Sequence, residues 1–422
     1  MSVTDLLTLG VLLSVVAALV LRPGGLSEGI AAVVGAGVTL VLGTASPADV
    51  WRGTVETAGV LVFLVAMMLI ALVAEEAGCF DWAASRAVAL SRGSGRLLFL
   101  NLYLLGALVT IFLSLDVTAI MLAPIVCALV RRARLSPLPY VLGCAYVANT
   151  ASLFLPVSNL TNMLVYSLLK VPFWTFARLM TLPNLAAMAV NLLVFLVIFR
   201  RQIPLSFSVS ASTWPSLGKP ASRWIQGIGL GCVVIGLLVA GALALPLYLP
   251  ALVGALILTP IAVLRRDVAP RRLLKGVAWS LPFFVIGMYT VIVAADRAGL
   301  RGLWSGLLAS SREADLGSLL SIAFGSGVGA NLFNNIPMSL VVITGLTAMP
   351  GSAALPLSFA SLIGTNVGPN VTVFGSLATI LVLNAARRYD ISISPVQYFR
   401  IGALTTPLMV LAATVALWLL VR

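Results

Sequence analysis

Residues 113–124 read Leu-Ser-Leu-Asp-Val-Thr-Ala-Ile-Met-Leu-Ala-Pro, and they place one acid between two apolar runs. That acid, Asp116, is the only Asp or Glu between Asp81 and Asp267. Each apolar run ends in arginines at the end that is farther from Asp116. An ionisable group at membrane depth costs roughly 3 kcal/mol or more, so such groups face a cavity and serve a function. We therefore predict that Asp116 is the centre of a transport site.

The composition places the whole chain in a membrane. Of 422 residues, 60% are hydrophobic and 9% are charged, and the mean hydropathy is +1.11. A soluble globular surface does not allow these values. Apolar segments of about the length that crosses ~30 Å of hydrocarbon recur along nearly the entire sequence. We predict an all-α polytopic membrane protein without an extramembrane domain of any size.

The charged and chemically reactive residues exclude several classes of function. The net charge is +13, but the basic residues stand singly or in pairs between apolar segments, which does not favour a nucleic-acid partner. Histidine is absent and the four cysteines lack metal-ligand spacing, so we predict no metal and no cofactor. Without a phosphate-binding glycine loop or an activated nucleophile, the sequence does not indicate an enzyme.

We predict ten membrane crossings and two re-entrant hairpins. The crossings are 3–20, 29–43, 57–74, 138–168 with an internal break, 179–199, 225–243, 249–264, 279–295, 355–386 with an internal break, and 401–421. The hairpins, 96–130 and 316–348, each have two apolar arms around a polar tip. Two full crossings would make each tip an ordinary loop, whereas re-entrant arms place its polar groups in a cavity. The first segment is interpreted as a crossing and not as a signal peptide.

Positive charge sets the expected orientation. With hairpin 96–130 entering from the cytoplasm, 19 of the 26 Lys and Arg residues lie inside and seven lie outside. This split follows the positive-inside rule and puts both termini outside. Residues 79–93 and 300–311 are too short to cross, and they resemble helices that lie in the interface.

The second half of the sequence repeats the first. Residues 72–78 match 293–299 at an offset of 221, and 149–162 match 366–379 at an offset of 217. Five crossings per half is an odd number, so the copies are expected to be inverted across the membrane. Inverted repeats whose interrupted helices meet at a site are typical of secondary transporters. Residues 200–224 join the halves as an irregular cytoplasmic linker.

Four polar stretches interrupt the apolar runs, and corresponding ones occur in both repeats: 114–118, 149–162, 331–337 and 364–376. Backbone groups freed there need protein or water partners. We predict Asp116 as the proton-coupling group, because desolvation favours its protonated form. The predicted substrate-binding residues are Thr118, Asn149, Thr150, Ser152, Ser158, Asn159, Asn334, Asn335, Asn366, Asn370, Thr372 and Ser376.

Each of these residues also has a purely structural interpretation. Asn, Ser and Thr in spans often only bridge helices, the prolines of the breaks can be simple kinks, and Asp116 can accept hydrogen bonds from its own tip. Neither Lys nor Arg lies in the four stretches. A neutral polyhydroxyl solute therefore suits such a pocket, because amides and hydroxyls alone can hold it.

Several motifs in order resemble the bacterial arsenite efflux permease family, ArsB. They are Glu-Ala-Gly-Cys-Phe-Asp-Trp-Ala-Ala at 76–84, Gly-Arg-Leu-Leu-Phe at 95–99, Asp116 before Ala-Ile-Met-Leu-Ala-Pro-Ile-Val at 119–126, Asn-Thr-Ala-Ser at 149–152 with Val-Ser-Asn-Leu at 157–160, Asn-Asn-Ile-Pro at 334–337, Ile-Gly at 363–364, Gly-Pro at 368–369 and Gly-Ser-Leu-Ala-Thr at 375–379. The resemblance runs from about Leu21 to the C-terminus.

This resemblance implies the fold of the ion-transporter superfamily, in which hairpins and broken helices slide against a scaffold in an elevator motion. It implies scaffold helices at 1–95 and 225–315 and transport-domain halves at 96–199 and 316–422. It further implies export of arsenite or antimonite in exchange for protons across the bacterial inner membrane, alone or with a cytoplasmic ATPase subunit. In this role Asp116 is the tip acid, Asn334 and Asn335 form the opposing tip, and 158–159 and 375–376 line the breaks.

The chain departs from the common form of the family at three positions. Leu115 stands where an asparagine usually precedes the tip acid, Asn366 where an aspartate is frequent, and Asn370 where a lysine can occur. The last two changes cancel in charge, as expected for a lost ion pair. Arsenite at neutral pH is an uncharged trihydroxide, which fits a neutral amide pocket.

Two other functions stay open at this point. One is a sodium- or proton-coupled transporter of another ion in the same superfamily, either a cation–proton antiporter or a carboxylate symporter. The other is a channel or a structural membrane subunit, which paired breaks in both repeats do not favour.

Overall fold

The computed structural model describes residues 2–21, 25–207, 219–300, 314–346 and 353–422, and all regular secondary structure in these ranges is helical. The first half contains α1 (Val3–Leu21), α2 (Glu28–Val41), α3 (Pro47–Glu76), α4 (Cys79–Leu90), α5 (Gly95–Phe112), α6 (Leu115–Val117), a π-helical turn (Thr118–Leu122), α7 (Ala123–Arg132), α8 (Pro137–Thr150), 3-10 turns at Ala151–Leu153 and Pro156–Ser158, α9 (Leu160–Leu169) and α10 (Phe173–Ile198).

The second half follows the same order. It contains α11 (Pro220–Ala242), α12 (Tyr248–Leu264), α13 (Pro270–Gly276), α14 (Ser280–Ala295), a π-helical turn (Asp296–Leu300), α15 (Leu316–Phe333), α16 (Asn335–Leu346), α17 (Ala354–Val367), a 3-10 turn (Gly368–Asn370), α18 (Leu377–Arg388) and α19 (Pro395–Val421).

Seven helices among the described residues are long and apolar enough to cross a membrane. They are Pro47–Glu76, Gly95–Phe112, Phe173–Ile198, Pro220–Ala242, Pro270–Leu300, Leu316–Phe333 and Pro395–Val421, and shorter apolar helices lie at Val3–Leu19, Glu28–Val41, Leu160–Leu169 and Tyr248–Leu264. Every predicted crossing is helical, and both predicted internal breaks are present as 3-10 or irregular turns. The total of ten crossings stays a prediction.

Local chemistry explains where the long helices begin. Ser46 caps α3 in a capping box, in which its hydroxyl accepts from the Asp49 backbone N–H and the Asp49 carboxylate accepts from the Ser46 backbone N–H. The Ser94 and Ser394 hydroxyls cap α5 and α19 by accepting from the Leu97 and Gln397 backbone N–H groups. Each cap satisfies backbone donors that would otherwise be unpaired. Helix α3 therefore begins ten residues before the predicted crossing 57–74.

The matched segments of the two halves pack antiparallel. Gly276 lies against Leu72 near one end of α3, and Gly53 lies against Tyr289 towards the other end. Gly78 and Gly299, which the sequence offset of 221 pairs, both adopt left-handed backbone angles, with φ of +78° and +101°. Glycine adopts this conformation without steric cost. Corresponding helices running in opposite directions are what an inverted repeat requires.

Ion pairs join the two ends of α3 to the segment that contains α13 and α14. Arg297 binds Asp49 through two contacts of 2.6 and 2.7 Å at one end, and Arg272 pairs with Glu76 at the other. Elsewhere Lys219 pairs with Asp267. Each pair joins two groups that the charge count assigns to the same side of the membrane, so the predicted orientation is consistent with these contacts.

Three hydrophobic cores lie between the helices. The first joins α1–α3 with α11–α14 and includes side chains of the first hairpin tip. The second joins α5, α7, α8 and α18, and the third joins α10, α15–α17 and α19. The tip of the first hairpin therefore packs on the helices that are predicted to form the scaffold.

Two predicted features fall wholly or partly outside the described residues. The second interfacial stretch, 300–311, is described only at Leu300, and the linker 200–224 is described only up to 207 and from 219. The first interfacial stretch contains α4, which contacts both arms of the hairpin. Burial raises the pKa of Asp81 in α4, and the nearby positive charge of Arg132 in α7 opposes this shift. The field of Arg132 at Asp81 links α4 electrostatically to the second arm.

We expect Gly287→Ala to destabilise the fold, because α2 and α14 touch through their backbones. A Cβ at Gly287 would lie 2.6 Å from the Ala32 carbonyl carbon, and overpacking of this kind costs about 1–3 kcal/mol. Gly231→Ala is the control, because no atom lies within 4 Å of its added Cβ. Thermal unfolding of both variants in one detergent checks this, and equal melting temperatures would contradict it.

Candidate functional site

The first hairpin tip turns at Ser114. This residue adopts φ of +153°, and its hydroxyl accepts from the Val117 backbone N–H at 3.3 Å. Thr110 and Thr118 share a hydrogen bond of 2.8 Å that ties the two arms together just behind the tip. A non-glycine residue at positive φ stores strain that the surrounding contacts must hold. The tip is therefore a defined turn that presents Asp116 at its end.

Asp116 faces a small cavity between the tip and α3. The cavity measures about 20 Å³ and is lined by Val60, Phe63, Leu64, Met67, Met68, Leu113, Ser114, Asp116, Val157, Asn159, Leu160 and Met163. Asp116 has no hydrogen-bond partner among the described residues. A space of this size holds about one water molecule. Asp116 is thus a partly exposed carboxyl group at the contact between the first hairpin tip and α3.

A second carboxylate, that of Glu28, lies at the start of α2. It accepts a hydrogen bond of 2.8 Å from the Ser280 hydroxyl. Both Glu28 and Ser280 are the first residues of their helices, where the helix dipole favours negative charge. The predicted site did not include Glu28, although an acid at the start of an apolar run was a visible signal.

The two broken helices meet through their asparagines. Asn149 donates to Asn370 Oδ1 at 2.9 Å and to Thr379 Oγ1 at 3.1 Å. In turn, the Asn370 amide donates to the Thr150 hydroxyl at 3.2 Å. These four side chains are at most 1% exposed. Buried polar groups of this kind are stable only when they are paired, and here they pair with each other.

Asn366 makes the corresponding contacts from the other repeat. Its Oδ1 accepts from Asn159 at 2.9 Å and from Thr161 at 2.7 Å, and its Nδ2 donates to Asn162 Oδ1 at 2.6 Å. The sequence offset of 217 relates Asn149 to Asn366 and Asn162 to Thr379. The bond from Asn149 to Thr379 is therefore the repeat-related counterpart of the bond from Asn366 to Asn162.

The second hairpin tip is tied to the second break. Asn334 adopts φ of +73° and donates to the Phe374 carbonyl at 3.4 Å, while the Asn335 backbone N–H donates to the Gly375 carbonyl at 3.1 Å. Asn331 accepts from both the backbone N–H and the hydroxyl of Thr372, at 2.9 and 2.7 Å. Both tips therefore turn at a non-glycine residue with positive φ.

The remaining predicted residues lie at the breaks. The Ser158 hydroxyl donates to the Ile111 carbonyl at 2.8 Å, which ties the first break to α5. Ser152 donates to the Asn149 carbonyl at 2.7 Å. The Ser376 hydroxyl is fully buried and has no partner among the described residues. Of all the predicted residues, Asp116 and Asn159 line the cavity at the first tip.

Sequence reasoning missed several residues of this arrangement. Thr161, Asn162 and Thr379 complete the amide network, and they are polar residues inside the same interrupted stretches. The face of α3 that closes the cavity was also missed, because a stripe at 60, 63, 64, 67 and 68 looks like ordinary core packing. No cluster of three His, Cys, Asp or Glu side chains that suits a metal ion occurs in the described part of the chain.

Known proteins similar to this chain are membrane transporters. The family model described as "Arsenical pump membrane protein" matches residues 7–421. Similar curated proteins include the arsenical pump membrane proteins of Yersinia enterocolitica, 33% identical over 416 residues, and of Escherichia coli strain K12, 32% identical over 413 residues. Each alignment covers 94% of this chain and 94% of the relative.

Similar folds occur among solved structures. The YdaH transporter of Alcanivorax borkumensis superposes with a TM-score of 0.59 over 88% of this chain and 87% of its own, at 14% sequence identity. At that identity the similarity concerns the fold alone.

Proposed function

Because this chain belongs to the arsenical pump membrane protein family, we propose that it exports arsenite and antimonite in exchange for protons. The observation that carries the proposal is the position of Asp116, which lines the cavity between the first hairpin tip and α3 without a hydrogen-bond partner in the described residues. A carboxyl group without a hydrogen-bond partner is suited to take up and release a proton.

The chemistry of the cavity supports a neutral substrate. Its lining contains one carboxyl, one amide and one hydroxyl side chain, and neither Lys nor Arg. A dicarboxylate would lack a cationic partner there, and burying an unpaired anion is costly. An uncharged trihydroxide needs only donors and acceptors, which Asp116, Ser114 and Asn159 supply.

The proposed binding residues are the predicted set around the tips and breaks. In this proposal Asp116 couples protons and Asn159 contacts the substrate directly. The other proposed residues, Thr118, Asn149, Thr150, Ser152, Ser158, Asn334, Asn335, Asn366, Asn370, Thr372 and Ser376, hold the tips and breaks in place or contact the substrate when the cavity opens. Their mutual hydrogen bonds support the holding role.

The transport movement is proposed to be an elevator motion. The first core joins the tip side chains to α3 and also takes in side chains of α9 and α16, whereas the second and third cores lie mainly among the hairpin arms, the broken helices, α10 and α19. We propose that 96–199 and 316–422 move as one transport domain against 1–95 and 225–315, with ten crossings and two re-entrant hairpins. The proposed location is the bacterial inner membrane, and a cytoplasmic ATPase subunit is a proposed partner.

Uptake into everted membrane vesicles tests the proposed function. Vesicles that contain the protein and have an acidic interior are expected to accumulate arsenite and antimonite. This accumulation is expected to disappear when an ionophore collapses the proton gradient. Sodium and succinate are offered in parallel as alternative substrates. Uptake of sodium or succinate without arsenite would refute the proposal, and passive equilibration of arsenite without accumulation would indicate a channel.

A further inference from the structure

Three methionine side chains meet at the cavity beside Asp116. Met67 and Met68 lie on α3, and Met163 lies on α9 in the broken helix. They are 3%, 7% and 5% exposed. The lining of the cavity thus combines three thioether side chains with the polar side chains of Ser114, Asp116 and Asn159.

A thioether offers a soft sulfur atom that a leucine of similar volume does not. Soft sulfur ligands favour soft metal centres, whereas oxygen ligands favour hard ones. Trivalent arsenic and antimony are soft centres that carry hard hydroxyl groups. The lining of the cavity supplies both kinds of ligand, with sulfur from the three methionines and oxygen and nitrogen from Ser114, Asp116 and Asn159.

We propose that Met67, Met68 and Met163 recognise the metalloid centre of the substrate by non-covalent sulfur contacts, while Asp116, Ser114 and Asn159 bind its hydroxyl groups. This inference rests on the proposed function and deepens it, because it assigns the residues that select a metalloid over other small trihydroxides. Since the cavity measures only about 20 Å³, the substrate enters when the tip and α3 separate.

The position of the three sulfurs connects selection to movement. Met163 belongs to the part that is proposed to move, whereas Met67 and Met68 belong to the scaffold helix. During the movement the substrate keeps its contact with Met163 and exchanges its contacts with α3. Met67 and Met68 therefore contact the substrate only while the tip lies against α3, and Met163 contacts it throughout the cycle.

Methionine-to-leucine variants test this, because the exchange conserves volume and removes sulfur. We expect the triple variant M67L/M68L/M163L to raise the KM for antimonite about tenfold, equivalent to about 1.4 kcal/mol, and to weaken discrimination against boric acid, a trihydroxide with a hard centre. The KM for arsenite is expected to rise in the same direction, because trivalent arsenic is also a soft centre. Met180→Leu and Met409→Leu are controls, because both side chains are fully buried away from the cavity, and their KM values are expected within about twofold of the parent.

X-ray absorption of antimony bound to the detergent-solubilised protein supplies the second measurement. Sulfur neighbours of antimony are expected in the parent protein and absent in the triple variant, and M163L alone is used if the triple variant does not fold. An unchanged antimonite KM, or oxygen as the only neighbour in the parent, would overturn the inference while parent arsenite uptake keeps the proposed function intact. Absence of arsenite and antimonite uptake by the parent would overturn both.

Discussion

Asp116→Asn is expected to abolish proton-driven accumulation of arsenite while leaving the protein folded. Asparagine keeps the size of the side chain but takes up no proton, so the variant cannot exchange substrate for protons. A gradient of one pH unit is worth about 1.4 kcal/mol, which drives about a tenfold accumulation for each proton exchanged. In everted vesicles the variant should let arsenite equilibrate without rising above the outside concentration.

Asp390→Asn is the matched control for this experiment. Its carboxylate pairs with Arg131 and is 83% exposed, and an exposed ion pair contributes about 0–1 kcal/mol. Accumulation in the control is therefore expected to equal that of the parent protein. If Asp116→Asn accumulates arsenite as well as Asp390→Asn does, Asp116 is not the coupling group.

The course of the backbone could be predicted largely from local patterns. Apolar length predicted the helices, and glycine, proline and asparagine inside apolar runs predicted both breaks. The match of 72–78 with 293–299 aligns Gly78 with Gly299, and both have positive φ. One interruption was not predicted. The short helix α13 lies before the expected crossing 279–295, and an irregular turn at 277–279 separates it from α14.

The side-chain partners could not be predicted in the same way. Asn149 and Asn370 are 221 positions apart, and an isolated segment does not reveal which amide faces which. Tertiary packing also explains one departure from the family pattern. Leu115, at the position where the family usually has asparagine, is 4% exposed and packs in the hairpin core. Leu115 therefore stabilises the tip and leaves Asp116 to face the cavity.

The second departure has a similar explanation. Asn366 and Asn370 occupy positions where the family can have an acid and a lysine, and here each binds partners across the break. Asn366 binds residues of α9 and the turn before it, and Asn370 binds Asn149 and Thr150 in α8. Neutral amides satisfy these contacts without burying charge, which costs more than burying a paired amide. The neutral network links the two repeats through hydrogen bonds between buried side chains.

Asn366→Leu is therefore expected to destabilise the protein by about 3 kcal/mol or more. The exchange removes three hydrogen bonds and leaves the Thr161 hydroxyl and the Asn162 carbonyl without these partners in a fully buried place. An unsatisfied buried polar group costs about 1–3 kcal/mol.

Asn191→Leu in α10 is the matched control, because Asn191 is equally buried and both polar atoms of its amide lack partners among the described residues. Replacing an amide that makes no bonds by an apolar side chain is expected to be neutral or stabilising. In one detergent, the unfolding midpoint should therefore fall for Asn366→Leu and stay level or rise for Asn191→Leu. The hydrogen-bond partners of an asparagine, and not its burial alone, determine how much it contributes to the stability of the folded protein. Equal losses in both variants would mean that the amide network does not join the repeats.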